Sequence, residues 1–109
     1  MANTFKLKTK ANVGVTTVGI YTAPAETTTV VIGITMANTS GSGVNVGVGI
    51  TRAGATEDVK LLKNAPVPQG SSLEFMAGNK IVLEATDTVT VDSDTNNSVD
   101  AALTIMEIT

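Results

Sequence analysis

The segment Val44-Asn45-Val46-Gly47-Val48-Gly49-Ile50-Thr51 decides the fold class, because aliphatic residues stand at every second position. Successive side chains of a strand point to opposite faces of a sheet, so this alternation predicts a strand with one aliphatic face. The other face holds glycine and small polar residues. Glycine inside a strand marks a bulge or the close approach of another backbone. We therefore expect Gly47 and Gly49 to be contacts between copies in an oligomer.

The same alternation recurs along the chain, whereas helical spacing is hard to find. Further strands are predicted over residues 4–10, 13–22, 28–37, 72–76, 79–84, 87–91 and 99–108. Within 28–37, the side chains at positions 30, 32, 34 and 36 are expected to share one face. Residues 57–64 fit either a strand or one helical turn.

Turn residues separate these segments. The cluster 38–43, with the sequence NTSGSG, predicts a hairpin that joins the strands on its two sides. Residues 65–70 contain two prolines and are expected to form a connector outside the strand ladder. About eight short strands, with turn signals roughly every ten residues, predict an all-β, antiparallel β-sandwich or jelly roll in a single domain.

The chain is short for a protein that must be stable alone. Its 109 residues suit one domain, but aromatic residues make up only 3%. Large aromatic side chains usually dominate core and interface energetics, so aliphatic residues must make the core here. Because a partner that binds only the folded state stabilises it, we expect a homo-oligomer.

Two absent residue types limit the chemistry. The sequence has no cysteine and no histidine, which excludes disulfides, thiolate zinc sites and the usual imidazole base. Carboxylate pairs such as Glu57 with Asp58, or Asp92 with Asp94, would need one member desolvated in a cleft to catalyse a reaction, and acidic residues in turns are normally exposed. The segment 92–96 has the oxygen spacing of a calcium loop, but Leu103 stands where the closing Glu belongs. We therefore expect no enzyme activity, no metal and no cofactor.

Charge and hydropathy bear on the partners. The net charge of −3 disfavours a general affinity for nucleic acid. The N-terminus lacks the apolar stretch of a secretory signal, and no segment approaches the roughly 20 apolar residues of a membrane span. We expect neither nucleic acid nor membrane as a partner, and synthesis in a cytoplasm where the protein stays until it assembles.

The first ten residues carry a concentrated positive charge. Lys6, Lys8 and Lys10 alternate with Phe5, Leu7 and Thr9, while the charged residues after position 80 are all acidic. We expect residues 1–10 to form an N-terminal strand or arm that docks on a partner through Phe5 and the three lysines, and residues 11–109 to form the sandwich. The alternative is that the lysines only protect an edge strand from unwanted pairing.

The last predicted strand is apolar on both faces. Ala101, Leu103 and Ile105 occupy one face, whereas Ala102, Met106 and Ile108 occupy the other. An antiparallel strand that is apolar on two faces lies either between two layers or at a subunit contact. We expect the subunit contact, with Met106 and Ile108 in it.

Several short motifs, in the same order, resemble small virion structural proteins of tailed bacteriophages, especially phages of marine bacteria. These are KANVG at 10–14, YTAPA at 21–25, ITMANTSG at 34–41, LKNAPVP at 62–68 and GSSL at 70–73. The resemblance spans nearly the whole chain. Proteins of this kind serve as capsid decoration (cement) proteins or as tail and fibre components.

The resemblance implies a trimeric capsid decoration protein that binds the major capsid protein lattice, or other virion proteins, at the capsid surface. It provides no catalytic residues. A tail, fibre or neck component is the first alternative. A carbohydrate-binding sandwich for host attachment is the second, although sugars usually stack on exposed aromatic rings and only Tyr21 is available for that.

Overall fold

The computed structural model describes residues 3–52, 58–75 and 80–109, and for Asp58 and Phe75 only the backbone. This part of the chain contains nine strands and no helix, and therefore no helix long and apolar enough to cross a membrane. The strands are β1 (Asn3–Val13), β2 (Val18–Thr22), β3 (Thr28–Asn38), β4 (Val44–Thr51), β5 (Asp58–Val67), β6 (Ser72–Phe75), β7 (Ile81–Leu83), β8 (Thr88–Ser93) and β9 (Val99–Ile108).

The strands form two antiparallel sheets. The first sheet has the order β1-β9-β3-β6, and β7 pairs with the same edge of β3 as β6 does. The second sheet has the order β2-β8-β4-β5. The pairs β1 with β9, β2 with β8 and β4 with β5 make the chain a long folded ribbon wrapped into two layers, which is the jelly-roll arrangement. The predicted fold class is confirmed.

Aliphatic side chains from both sheets fill the space between them. In β9, Ala101, Leu103 and Ile105 point inward and are buried, as the alternation predicted. In β4, Val46 and Val48 do the same from the other sheet. Burial of the valine, leucine and isoleucine side chains, each worth about 1.5–3 kcal/mol, is the main force that holds the layers together.

The predicted hairpin around residues 38–43 is wrong. β3 belongs to the first sheet and β4 to the second, so the turn carries the chain from one layer to the other. Asn38 holds this crossing. Its side-chain amide donates to the carbonyls of Ser42 (2.8 Å) and Val67 (3.0 Å), and its side-chain oxygen accepts from the backbone N–H (2.9 Å) and hydroxyl (2.7 Å) of Ser40.

The predicted connector at 65–70 is also partly wrong, because β5 continues through Pro66 to Val67. Pro66 is the register partner of Asn45. The proline is tolerated because β5 is the edge strand of the second sheet, where a missing N–H donor costs nothing on the open side. β5 also shows that residues 58–64 form a strand and not a helical turn. Residue 57 lies outside the described residues.

Two predicted strands have a different shape in the structure. A bulge between Val31 and Gly33 breaks the alternation of β3, so Val31, Ile34 and Met36 are buried inside while Val30 points to solvent. The predicted strand 13–22 is divided, since Val13 ends β1 and β2 begins only at Val18. The predicted strand 72–76 corresponds to β6, and its last position, 76, lies outside the described residues.

Candidate functional site

The solvent side of the first sheet, called the outer face below, carries a row of four apolar side chains. Met106 on β9 is the register partner of both Phe5 on β1 and Val30 on β3. Val30 is in turn paired with Val82 on β7. Directly paired residues of an antiparallel sheet point to the same face, so these side chains stand side by side across the sheet. We name Phe5, Met106, Val30 and Val82 the apolar row.

The apolar row is open to solvent in the single chain. Phe5 is 69% exposed and Val82 is 60% exposed, whereas Met106 and Val30 on the interior strands are half-buried by their neighbours. Soluble monomers rarely leave a contiguous apolar strip uncovered, because each Å² removed from water contributes about 25 cal/mol. The row is therefore a candidate contact surface.

Two further rows follow along the outer face, and on β1 and β9 the side chains become smaller from row to row. The middle row consists of Leu7, Thr104 and Gly33. The small row consists of Thr9, Ala102, Thr35 and Glu74. A shallow depression of about 380 Å³ lies at the end of the face that carries the small row. The outer face is thus raised at one end and hollow at the other.

The structure brings together residues for which the sequence predicts different contacts. Phe5 was expected to dock on a partner, whereas Met106 and Ile108 were expected to contact another copy. All three lie on the outer face, since Phe5 pairs with Met106 and the side chain of Ile108 follows on the same side of β9. Whether they contact a partner stays a prediction.

Sequence reasoning missed Val30 and Val82 as members of this surface. Val30 was assigned to the same face as the core residue Ile34, and the bulge at Gly33 reverses that assignment. Val82 lies in the run Ile81-Val82-Leu83, which is apolar at every position and therefore shows no alternation. A glycine in the middle of an otherwise aliphatic strand was the signal that could have indicated the bulge.

The three lysines of β1 point away from the outer face. Lys6, Lys8 and Lys10 pair with inward-facing residues of β9, so they lie on the core side of β1 at the open edge of the sandwich. The residues set apart as an arm, from Asn3 onward, are therefore part of the first sheet. Phe5 and the lysines do not form one surface, and docking through the lysines stays a prediction.

Lys6 belongs to a polar cluster inside the chain. Its Nζ lies 2.8 Å from Oε1 of Glu107, an inward-facing carboxylate that is 7% exposed. The Tyr21 hydroxyl donates to Oε2 of the same carboxylate at 2.6 Å. The tyrosine has one hydroxyl proton, so the Thr29 hydroxyl at 2.8 Å must be the donor in its contact with Tyr21. The cluster links the two sheets.

The cluster shifts the pKa values of its members in opposite directions. Hydrogen bonds from Lys6 and Tyr21 lower the pKa of Glu107 below its usual value, against the opposing effect of burial. Burial, followed by the hydrogen bond to Glu107, raises the pKa of Tyr21 to about 12. The Tyr21 side chain is 7% exposed, which leaves its ring out of reach of a sugar at the surface.

Gly47 and Gly49 lie on the solvent side of the second sheet, and both are buried. The carboxylate of Asp92 covers Gly47, and a Cβ at Gly47 would overlap its Oδ1 and lie 3.2 Å from the carbonyl oxygen of Leu62. Asp92 is held in place by the hydroxyl of Thr17 at 2.9 Å and the ammonium of Lys60 at 3.5 Å. The close packing of Asp92 within the chain thus explains why position 47 is a glycine. Contact of Gly47 and Gly49 with another copy stays a prediction.

Substitution of Gly47 by alanine is expected to lower the free energy of unfolding by about 1 kcal/mol, although alanine normally stabilises a strand relative to glycine. Asp92 would have to move and would lose its contacts with Thr17 and Lys60. Urea unfolding measures the change. Gly41→Ala, at a position where a Cβ meets nothing within 4 Å, is the matched control and should be neutral or slightly stabilising. Equal effects of the two substitutions would contradict the role of Asp92.

The described residues contain no group of three or more His, Cys, Asp or Glu side chains placed to hold a metal ion. In the segment that resembles a calcium loop, Asp94 accepts the backbone N–H of Asn45 at 3.0 Å and Asp92 accepts the Thr17 hydroxyl. The cavity between the sheets is apolar and has a volume of about 10 Å³. The cavity between the sheets therefore has no room for a small molecule.

Neither protein-family models nor curated protein sequences match this chain. Solved structures share its fold. A structure of Bacillus endospore appendages, which form a family of disulfide-linked pili, is similar with a TM-score of 0.57 and 17% identity over 97% of this chain and 84% of that one. The acid-stable capsid structure of Helicobacter pylori bacteriophage KHP30 is similar with a TM-score of 0.57 and 11% identity over 98% and 87% of the two chains.

Proposed function

We propose that this protein is a non-enzymatic structural subunit of a virion, and specifically a capsid decoration protein on the outer surface of the major capsid protein lattice. The observation that carries the proposal is the apolar row, an uncovered strip across a sheet of a small jelly roll. A surface of this kind is made for association with another protein.

Two likenesses support this role. The motifs between residues 10 and 73 resemble virion structural proteins of tailed phages, and the fold is shared with a phage capsid structure. Low sequence identity limits the second likeness to the fold. Both are consistent with a protein that works as one of many identical building units.

The proposed mechanism is mechanical. Each copy adds buried area across a junction between capsid subunits, and the shell can then come apart only if many such contacts break together. One contact can be weak, because repeated contacts on the same lattice act jointly. The trimer expected from the resemblance stays a prediction.

Imaging of intact particles tests the proposal. A decoration protein should be found in hundreds of copies at symmetric positions outside the shell, and particles without it should lose their genome at lower temperature. A few copies at the tail, or absence from purified particles, would remove the decoration role.

The lysines of β1 allow a sharper test of docking. Lys6→Gln would remove the ion pair with Glu107, so the informative variant is Lys8→Gln combined with Lys10→Gln, which leaves that ion pair in place. We expect this variant to bind particles about tenfold more weakly at low salt with unchanged stability, since charges at the rim of an interface act mainly on association. A pair at other exposed positions, Lys63→Gln with Lys80→Gln, is the control. Equal binding of the native chain and both variants would support the alternative that the lysines only guard the edge of β1.

A tail or fibre component is the second candidate, because the fold is also similar to that of the Bacillus appendages, which are pili. Particle imaging separates the two roles by position and copy number. The carbohydrate-binding alternative relied on Tyr21 to stack on a sugar, and the ring of Tyr21 is buried. Specific binding on a glycan array would restore it.

A further inference from the structure

We propose that the outer face of the first sheet binds the same face of a second copy of this chain, across a two-fold axis that runs along the middle row of Leu7, Thr104 and Gly33. The inference rests on the proposed role as an assembly subunit, names one of its partners, and gives a dimer in place of the trimer that the resemblance implies. It uses the three rows of the outer face and their order along the strands.

On β1 and β9 the size of the outward side chains decreases in one direction along the strand. The apolar row has large side chains, including Phe5, which is 69% exposed. Two residues further along each strand, the middle row holds a leucine, a threonine and a glycine. At Gly33 a Cβ would meet nothing within 4 Å, so this position is open. The small row, with Ala102 at its centre, lies beside the depression of about 380 Å³.

A two-fold rotation about the middle row makes this face complementary to itself. The rotation places the apolar row of one copy over the small row of the other, and the reverse, as an isologous contact requires. Met106 then faces Ala102 of the second copy, and Phe5 faces Thr9. On β1 and β9 a large side chain thus meets a small one, which fills the depression, while at the edge of the sheet Val82 faces Glu74 of the second copy.

The area and the charge of the outer face are both suited to binding a second copy of the chain. Four strands about 4.8 Å apart, with about nine paired residues at about 3.3 Å each, give the outer face roughly 600 Å². Two such faces bury about 1,100 Å² together, above the roughly 1,000 Å² expected of a specific interface. The chain has a net charge of −3, yet the three rows contain one charged residue, Glu74 at the rim. Asp100 lies one row beyond the small row, and the rotation places the Asp100 residues of the two copies at opposite ends of the contact. Copies can therefore approach through this face with little repulsion.

Sedimentation of the purified chain provides the first test. We expect a dimer, and the combined variant Phe5→Ser and Leu7→Ser should weaken its Kd by about 100-fold, because both side chains are anchors in the contact. Both are more than 60% exposed, so the fold should stay intact, which far-UV circular dichroism checks. Val15→Ser, at an exposed valine outside the three rows, is the control and should leave the dimer unchanged. A monomer at high concentration, a trimer, or an equal loss with the control would overturn the proposal.

Crosslinking tests the axis itself, since the native chain has no cysteine. Packed sheets lie about 10 Å apart, beyond the reach of a disulfide, so a short bismaleimide is the reagent. Leu7→Cys and Thr104→Cys should each crosslink to their own copy, because both residues lie on the axis. Phe5→Cys should crosslink in a mixture with Thr9→Cys, more than with itself. Val15→Cys should give no dimer. Crosslinking of Thr104→Cys no stronger than that of Val15→Cys would exclude this axis.

Particle binding is measured separately with the monomeric variant. If the native chain is a dimer but is absent from particles, the virion role fails and the contact between copies stands. If the native chain is a monomer in solution and still covers particles, the contact fails and the virion role stands. A monomer that binds particles through the apolar row would identify a capsid protein as the occupant and overturn the proposal.

Discussion

Replacing Asn38 by alanine is expected to lower the free energy of unfolding by about 3 kcal/mol, because each hydrogen bond lost inside a protein costs roughly 1 kcal/mol or more. Asn38 is 5% exposed and makes four hydrogen bonds with its side chain. The substitution leaves the carbonyl of Val67 and the turn at Ser40 and Ser42 without their partner. The midpoint of urea unfolding measures the loss.

Asn45→Ala is the matched control, since Asn45 stands on the solvent side of β4. Its effect should stay within about 0.5 kcal/mol. The loss at Asn38 should also reduce particle binding, because the turn positions both sheets. A variant at Asn38 as stable as the control would show that the crossing between the sheets does not depend on this side chain.

The substitution Glu107→Gln is expected to cost about 2 kcal/mol at pH 7, the usual contribution of hydrogen bonds to a charged group. The glutamine keeps the shape of the side chain but loses the charge that holds Lys6 and accepts from Tyr21. A double-mutant cycle with Lys6→Gln should give a coupling energy, because the two residues are in contact. Additive effects of the two substitutions would contradict the ion pair.

The same variant has a defined pH dependence. The pKa of Glu107 is lowered in the folded chain, so its contribution to stability is present above the unfolded pKa of about 4.3 and is lost as the pH falls through the lower, folded value. The difference between the native chain and Glu107→Gln should therefore disappear in acid. A difference that persists unchanged at pH 2 would rule out the carboxylate as its cause.

Tyr21 reports on this cluster directly, because the chain has one tyrosine and no tryptophan. Its pKa, raised to about 12, means that the protonated hydroxyl stabilises the fold fully below about pH 10 and less as the pH rises through 12. Absorbance of the phenolate should titrate near 12 in the folded chain and near 10 in urea. In Glu107→Gln the pKa of Tyr21 should fall but stay above 10, since burial, the larger cause, remains.

Much of the fold could be predicted from local pattern. The last strand matches the predicted span 99–108, and its two faces alternate between buried and exposed positions as expected. The alternation of 44–51 also placed Val46 and Val48 in the core. These predictions are confirmed because the backbone of any strand points successive side chains to opposite faces, whatever the strand pairs with.

The pairing of the strands could not be predicted in the same way. The turn at 38–43 has the composition of a hairpin, yet Asn38 bonds to Val67, 29 residues away, and the chain crosses to the other sheet. The sequence predicts that Pro66 interrupts strand pairing, but the proline is tolerated because β5 is an edge strand. Turn chemistry fixes the local bend, but which sheet a strand joins depends on all the others.

The sequence by itself determined an antiparallel, all-β, single domain with an aliphatic core. Alternation sets which side chains share a face of a strand, and the scarcity of aromatic residues leaves aliphatic side chains to be buried. Only the tertiary structure decided that Phe5, Met106, Val30 and Val82 form one surface. These residues are distant in the chain and come from four strands, so their meeting depends on strand order, register and the bulge in β3. Register is a collective outcome of packing, and no local stretch of sequence encodes it.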